Sequence, residues 1–258
     1  MTTGAMIYHY TTVSGLIGII TSRELWASDC QFLNDGTELS YARKIFFAEV
    51  KKLNLKKTLF EDADTWYSVP GPSLERFRMF IACFCEDSDL LSQWRGYGTD
   101  QGYALGFDIA QLKSLDLGEI SPVQYGIKNP LEYFAQELDA ATRPSAHPGI
   151  AEWHNSEFLL RRLALVKHPG FAEEREWRAL KQIPVYDLKD QSTATQFRSS
   201  PMGPIAYLVI PFPPECLREI IIGPGSHTKT RKAAVQDMLQ YRGFQDVKVR
   251  VSKIPFRK

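Results

Sequence analysis

Cysteine is scarce in this sequence. Its four residues, Cys30, Cys83, Cys85 and Cys216, follow no spacing that a zinc site or a disulfide framework needs. They read as buried, reduced thiols of a cytoplasmic protein. An excess of charge of one sign is missing too: 31 lysines and arginines face 30 aspartates and glutamates, for a formal net charge of +1. Bulk nucleic-acid binding needs a positive excess over much of the surface, so the balance argues against it as the main business of the chain, and a local basic patch stays open. No apolar run reaches the roughly 18 residues of a membrane helix. The first residues do not pair a basic segment with a following apolar one, so no signal peptide is expected. These absences predict a soluble cytoplasmic protein with no membrane partner. Internal repeats and low-complexity segments are also absent.

What is present suits one globular unit. Hydrophobic residues make up 44% and charged residues 24%, close to the averages of folded domains, and 258 residues lie near the upper end for a single domain. Met6 to Thr11 reads as a short strand. Apolar residues at helical spacing follow from Val13, with Thr12 as N-cap and an end near Arg23. Leu25 to Ser28 reads as a strand, Asn34-Asp35-Gly36 as a turn, and Glu38 to about Leu53 as a helix capped by Thr37. Phe77 to Cys85 is apolar without alternation, which predicts a strand covered on both faces. A short helix at Leu90–Arg95 and a core strand at Tyr103–Asp108 follow, then a strand near Val123–Tyr125. Helical patterns at 131–141 and 150–166 flank a loop at 143–149. Strands at Ile205–Ile210, Leu217–Ile222 and Val247–Ile254 surround a helix from about Lys229 to Tyr241, ended by Gly243. The pattern predicts one α+β domain over residues 1–258 with a helical insertion at about 130–166.

Four segments could carry chemistry. In a strand His9 and Thr11 share one face and Tyr8 and Tyr10 the other. A His beside a Thr, with tyrosines behind, can hold a flat polar ligand by hydrogen bonds; the plainer reading is a histidine bonded for packing alone. Ser92-Gln93-Trp94-Arg95-Gly96-Tyr97-Gly98 puts two aromatics, a guanidinium and two glycines between core strands. Glycine lets backbone approach a ligand, aromatic faces stack on flat rings and Arg pairs with phosphate bidentately; the alternative is a helix end with Trp94 in the core. Glu174-Arg175-Glu176-Trp177-Arg178 is a helix by propensity, with Glu174 and Arg178 paired, or a strand by context. As a strand it sets Glu174, Glu176 and Arg178 on one face, lining a wet cleft or simply solvated. Gly223 to Thr230 nearly fits the phosphate-loop pattern, but Thr228 stands where the second Gly belongs, and a helix cap with modest anion affinity is the better reading.

Tyr8-His9-Tyr10-Thr11, Leu33-Asn34-Asp35 with Glu38, the Ser92–Gly98 run, Gly102 to Phe107, Glu176-Trp177-Arg178, Phe197-Arg198 and Ile220 to Pro224 together resemble domain of unknown function 2971, over nearly the whole chain. A second resemblance is to ADP-ribosyltransferases, which begin with a strand bearing His and then Thr or Ser. It implies an ADP-ribosyltransferase-like fold, a split mixed or antiparallel sheet with flanking helices, and NAD as cofactor. By the same resemblance His9, Tyr97 and Glu176 would be catalytic, with Glu176 stabilising an oxocarbenium-like sugar. Thr11, Trp94, Arg95, Tyr103, Arg178 and Arg198 would bind the cofactor, Tyr97 or Tyr103 stacking on nicotinamide and Arg95 and Arg198 holding the pyrophosphate. Tyr10 stands where that pattern has Gly, and its Ser-Thr-Ser element is missing. The implied role is a bacterial toxin or phage-defence effector modifying a protein or nucleic acid, with an antitoxin or other partner protein. Two other readings compete: a non-catalytic nucleotide or nucleic-acid-binding module using Trp94, Arg95, Arg198 and the Gly223–Thr230 loop, and a metal-independent nuclease with His9 and Glu176 as acid and base.

Overall fold

The computed structural model of the chain describes residues 5–32, 38–53, 77–97, 101–115, 118–136, 139, 159–184, 195–201 and 203–255. The turn at Asn34–Gly36, the Thr37 cap, Gly98, the loop at 143–149 and residues 140–158 of the expected insertion lie outside them.

The chain opens with β1 (Met6–Thr11) and α1 (Val13–Ser22). The Thr12 hydroxyl accepts the Gly15 amide as the expected N-cap, and Leu16, Ile19 and Ile20 form the buried stripe. Then come β2 (Glu24–Asp29), α2 (Glu38–Lys52), β3 (Phe77–Cys85), α3 (Leu91–Tyr97), β4 (Tyr103–Asp108) and α4 (Ile109–Lys113). Short pieces follow: β5 (Glu119–Pro122), β6 (Gln124–Tyr125), α5 (Pro130–Tyr133) and β7 (Val166–Lys167). The last third holds β8 (Glu176–Pro184), β9 (Thr195–Ser200), β10 (Gly203–Pro211), β11 (Leu217–Ile222), α6 (Thr228–Arg242) and β12 (Lys248–Val251).

Among the described residues ten strands join one sheet, antiparallel except where β11 meets β12, and β6 and β7 form a separate parallel pair. The α+β class read from the sequence holds. β3 is the hub. One of its edges pairs with β8 along its whole length, from Phe77 opposite Pro184 to Cys85 opposite Glu176. The other edge is shared. β1 meets it at Tyr8 opposite Cys85, and β2 meets it at Ser28 opposite Ile81 and Asp29 opposite Phe80. From β1 the sheet continues to β4, β11 and β12; from β2 it continues to β10 and β9. The sheet therefore forks along β3, with residues 82–84 facing the gap.

One face of this forked sheet carries the main core, where Ile7, Phe84, Leu105 and Phe107 pack with Leu16 and Ile20 of α1 and Val235 and Leu239 of α6. The other face carries smaller clusters, one around Tyr8, Tyr10, Cys85 and Trp94 and one around Met79, Ile81, Leu160 and Leu180. Both faces of β3 are covered, as its continuous apolar run predicts. The strand reading of the Glu174–Arg178 segment prevails over the helical one, with one change. β8 begins at Glu176, while Glu174 ends a 3-10 turn and Arg175 takes a left-handed backbone at φ 42°.

Candidate functional site

A cavity of about 650 Å3 opens at the fork, within the size range of small-molecule sites. Its walls come from both arms of the sheet and from β8, and include His9, Tyr97, Glu176, Arg178 and Arg198. Residues scattered over most of the sequence thus share one space because β1, β2 and β8 all border β3.

Glu176 is 7% exposed and ion-paired. Oε1 accepts from Arg178 Nε at 2.8 Å, and Oε2 accepts from Arg178 Nη2 at 3.0 Å and from Lys167 Nζ at 3.2 Å. The Cys83 thiol also hydrogen-bonds this carboxylate. Burial alone would raise its pKa, but Arg178, Lys167 and the Cys83 bond outweigh burial and hold it below the ordinary value, so it is ionised at neutral pH. Lys167 Nζ also donates to Glu174 Oε2 at 2.7 Å and lies 4.8 Å from the centre of the Phe171 ring. Arg178 Nη1 donates to the Ala164 carbonyl at 2.7 Å. Two carboxylates and two cations balance, and the fork of Arg178 fixes the Glu176 carboxylate in one orientation.

His9 reaches the cavity by an unexpected route. Tyr8 lies opposite Cys85, and Cys85 opposite Glu176, so strand alternation gives Tyr8 and Glu176 one face and His9 the other. The gap between β1 and β2 lets the His9 ring turn into the plane of the sheet. There Nδ1 lies 2.9 Å from the Cys83 carbonyl oxygen, on the edge that the fork leaves without a strand partner. A carbonyl only accepts, so Nδ1 donates, and Nε2 of the neutral ring is left as an acceptor. Burial holds the imidazole below its ordinary pKa, partly offset by the Cys83 bond. The same bond is the packing role that the plainer sequence reading assigns to this histidine.

Tyr97, at the end of α3, is 43% exposed over the whole residue. Its hydroxyl is nevertheless pushed up to about 12, first by burial and then by the acidic side chains of Cys83, Glu176 and Glu174. Tyr97 borders the same cavity as Glu174 and Glu176. Arg198 on β9 donates from Nη2 to Ser28 Oγ at 3.2 Å and adds positive charge to another wall of the cavity.

Four expected ligand-binding residues are not among the lining. Thr11 lies against α1: a Cβ on Gly15 would stand 2.0 Å from its Oγ1. Trp94 is 2% exposed, edge-on to Tyr10, and its indole N–H donates to Asp89 Oδ1 at 2.8 Å; the alternative reading, Trp94 in the core, is the observed one. Tyr103 is buried and its hydroxyl accepts from Arg231 Nε at 3.4 Å, so of the two candidate stacking aromatics only Tyr97 borders the cavity. Arg95 is exposed on α3. The Gly223–Pro224 segment is a packing device: a Cβ at Gly223 would come within 2.8 Å of the Trp94 ring, and Arg231 Nη1 donates to its carbonyl. Conversely, Lys167, Cys83 and Trp26 border the cavity, although the sequence does not mark them as ligand residues. Lys167 fell at the end of an expected helix, Cys83 inside an apolar run and Trp26 inside a short strand. Only the alternation Leu25-Trp26-Ala27-Ser28, which turns Trp26 away from the core, was a usable signal.

Residues 93–179 match the model of a family described as a protein of unknown function (DUF2971), the family that the sequence resembles. The matched segment runs from Gln93 on α3 to Ala179 on β8. It contains Tyr97, Glu176 and Arg178, whereas His9 and Arg198 lie outside it. No curated protein matches the chain.

Proposed function

For a chain that carries this family segment, we propose that the cavity is the active site of an NAD-using ADP-ribosyltransferase-like enzyme, on a sheet split in the manner of that fold. The observation that supports the reading is that His9, Tyr97 and Glu176, the three residues it requires, border one cavity. NAD as substrate supplies a nicotinamide–ribose bond whose cleavage develops positive charge on the sugar. Glu176, ionised and fixed by Arg178, stabilises that charge without reorienting. A ribose hydroxyl takes the place of the Cys83 thiol, the weakest donor on this carboxylate. His9 accepts a hydrogen bond at Nε2, the Tyr97 ring stacks on the nicotinamide and Arg198 pairs with a phosphate.

One observation favours a second reading, a nucleotide-binding module without catalysis. The Glu176 oxygens already accept from Arg178, Lys167 and Cys83, as a carboxylate of purely structural use would. Incubating the pure protein and a cell extract with NAD labelled in its adenylate separates the two. The transferase releases nicotinamide and moves the label to an acceptor or to free ADP-ribose. The binding module returns all the NAD intact.

A further inference from the structure

Trp26 stands where β2 has left β3: β2 pairs with β10 from Glu24 to Ser28 but with β3 only at Ser28 and Asp29, and Trp26 is 48% exposed. Its neighbours Leu25 and Ala27 face the main core together with Leu208 and Ile210. Ser28 lies opposite both Ile81 and Tyr207, and Ile205 lies opposite Arg198. By alternation Trp26, Ser28, Tyr207 and Arg198 therefore share the face of Cys83 and Glu176. The indole rests on the Tyr207 ring, with centroids 4.4 Å apart and planes 30° apart. Tyr207 is itself buried, and its hydroxyl donates to Gln196 Oε1 at 2.7 Å. Trp26 is thus backed on one side by an anchored ring, while nearly half of its surface stays open. Trp26, Ser28 and Arg198 all border the cavity, and the Ser28 hydroxyl positions the guanidinium.

We propose that Trp26, backed by Tyr207, and Arg198 form a subsite for a planar nucleobase and its attached phosphate, that is, for the adenine-nucleotide half of a dinucleotide. The assignment rests on the reading of the cavity as an NAD site, but on residues which that reading does not use for chemistry, Arg198 apart. An indole held flat by a second aromatic ring loses little freedom on stacking a base. The neighbouring guanidinium supplies paired donors for a phosphate. The arrangement sets the base at the β2–β9 wall and leaves the β8 wall, with Glu176, for the other half of the ligand.

Calorimetric titration with ADP tests this directly, because ADP lacks the nicotinamide bond and cannot be cleaved there. The wild type should bind ADP, Trp26→Ala should weaken it about tenfold or more, and Trp26→Phe should keep most of the affinity. Arg198→Ala should weaken ADP while leaving adenosine nearly unchanged. If Trp26→Ala fails to fold, Trp26→Leu, which covers Tyr207 but has no ring, should show the same loss. A wild type that does not bind ADP, or a folded Trp26→Ala or Trp26→Leu variant that binds it undiminished, overturns the subsite. The two proposals fail separately. ADP binding that needs Trp26 in a protein releasing no nicotinamide keeps the subsite and removes the transferase. Nicotinamide release with kcat/KM unaltered by Trp26→Ala removes the subsite alone.

Discussion

His9 is held by the fork that it helps to fill. Its Nδ1 donates to the Cys83 carbonyl, and burial keeps the ring below the ordinary pKa of 6.5. The unfolded chain therefore takes up a proton at this position before the folded protein does. The unfolded state binds more protons once the pH falls below about 6.5, so stability drops as the pH falls through that region. Glu176, also held below its ordinary value, adds an acid-side loss of the same sign, but it begins only near the unfolded value of 4.5. The two losses set in at different pH, near 6.5 and near 4.5. His9→Asn keeps an amide donor near the Nδ1 position and cannot titrate. Thermal melts at pH 7.5 and 5.5 should show a larger fall in midpoint for the wild type than for His9→Asn. A wild type that is flat between pH 7.5 and 5.5 would contradict the buried neutral imidazole.

At the scale of elements, β1 and α1 are joined by a contact that leaves Thr11 no freedom to serve a ligand. A Cβ at Gly15 would stand 2.0 Å from Thr11 Oγ1 and 3.3 Å from Thr11 Cβ, so the helix can sit this close to the strand only with glycine there. Gly15→Ala should destabilise the protein by about 1–3 kcal/mol through overpacking, even though alanine favours helix. Adding Thr11→Ala should recover most of that loss in denaturant melts, because the clash is with the hydroxyl. Equal destabilisation in the single and double variants would place the strain elsewhere. The strands legible in the sequence were β1, β2, β3, β4, β6, β10, β11 and β12, short segments rich in apolar, aromatic or β-branched residues. β9 was not legible: Thr-Gln-Phe-Arg-Ser-Ser shows no apolar alternation, and the strand exists because it pairs with β10 over six positions. β5 and β7 were too short to show a period. Alternation tells which side chains share a face, but not which face a helix covers, and so Thr11, a ligand contact by pattern, packs on α1 instead.

Over the whole molecule, the site depends on the fork along β3, and no local pattern encodes a fork. It follows from β1 and β2 both pairing with one edge of β3 while β8 takes the other. His9, Tyr97, Glu176, Arg178 and Arg198 were readable as candidates by residue type, and they meet in the cavity. Trp94 and Tyr103 were readable by the same rule and are core, because an aromatic between core strands carries no mark of whether a ligand or a neighbour will cover it. The ion pairing of Glu176 was hidden as well, since Lys167 comes from the far side of the expected insertion. That pairing changes how the carboxylate must be tested. Removing its charge leaves Arg178 buried with a lost partner, at a cost of about 3 kcal/mol, so activity has to be read per folded molecule and beside ADP affinity as a check on the site. The decisive measurement is nicotinamide release from NAD by Glu176→Gln and Glu174→Gln, both assayed below their melting temperatures. The account predicts a fall of about two decades or more for Glu176→Gln in a protein that still binds ADP, and a much smaller effect for Glu174→Gln. Release at the wild-type rate by Glu176→Gln would contradict it.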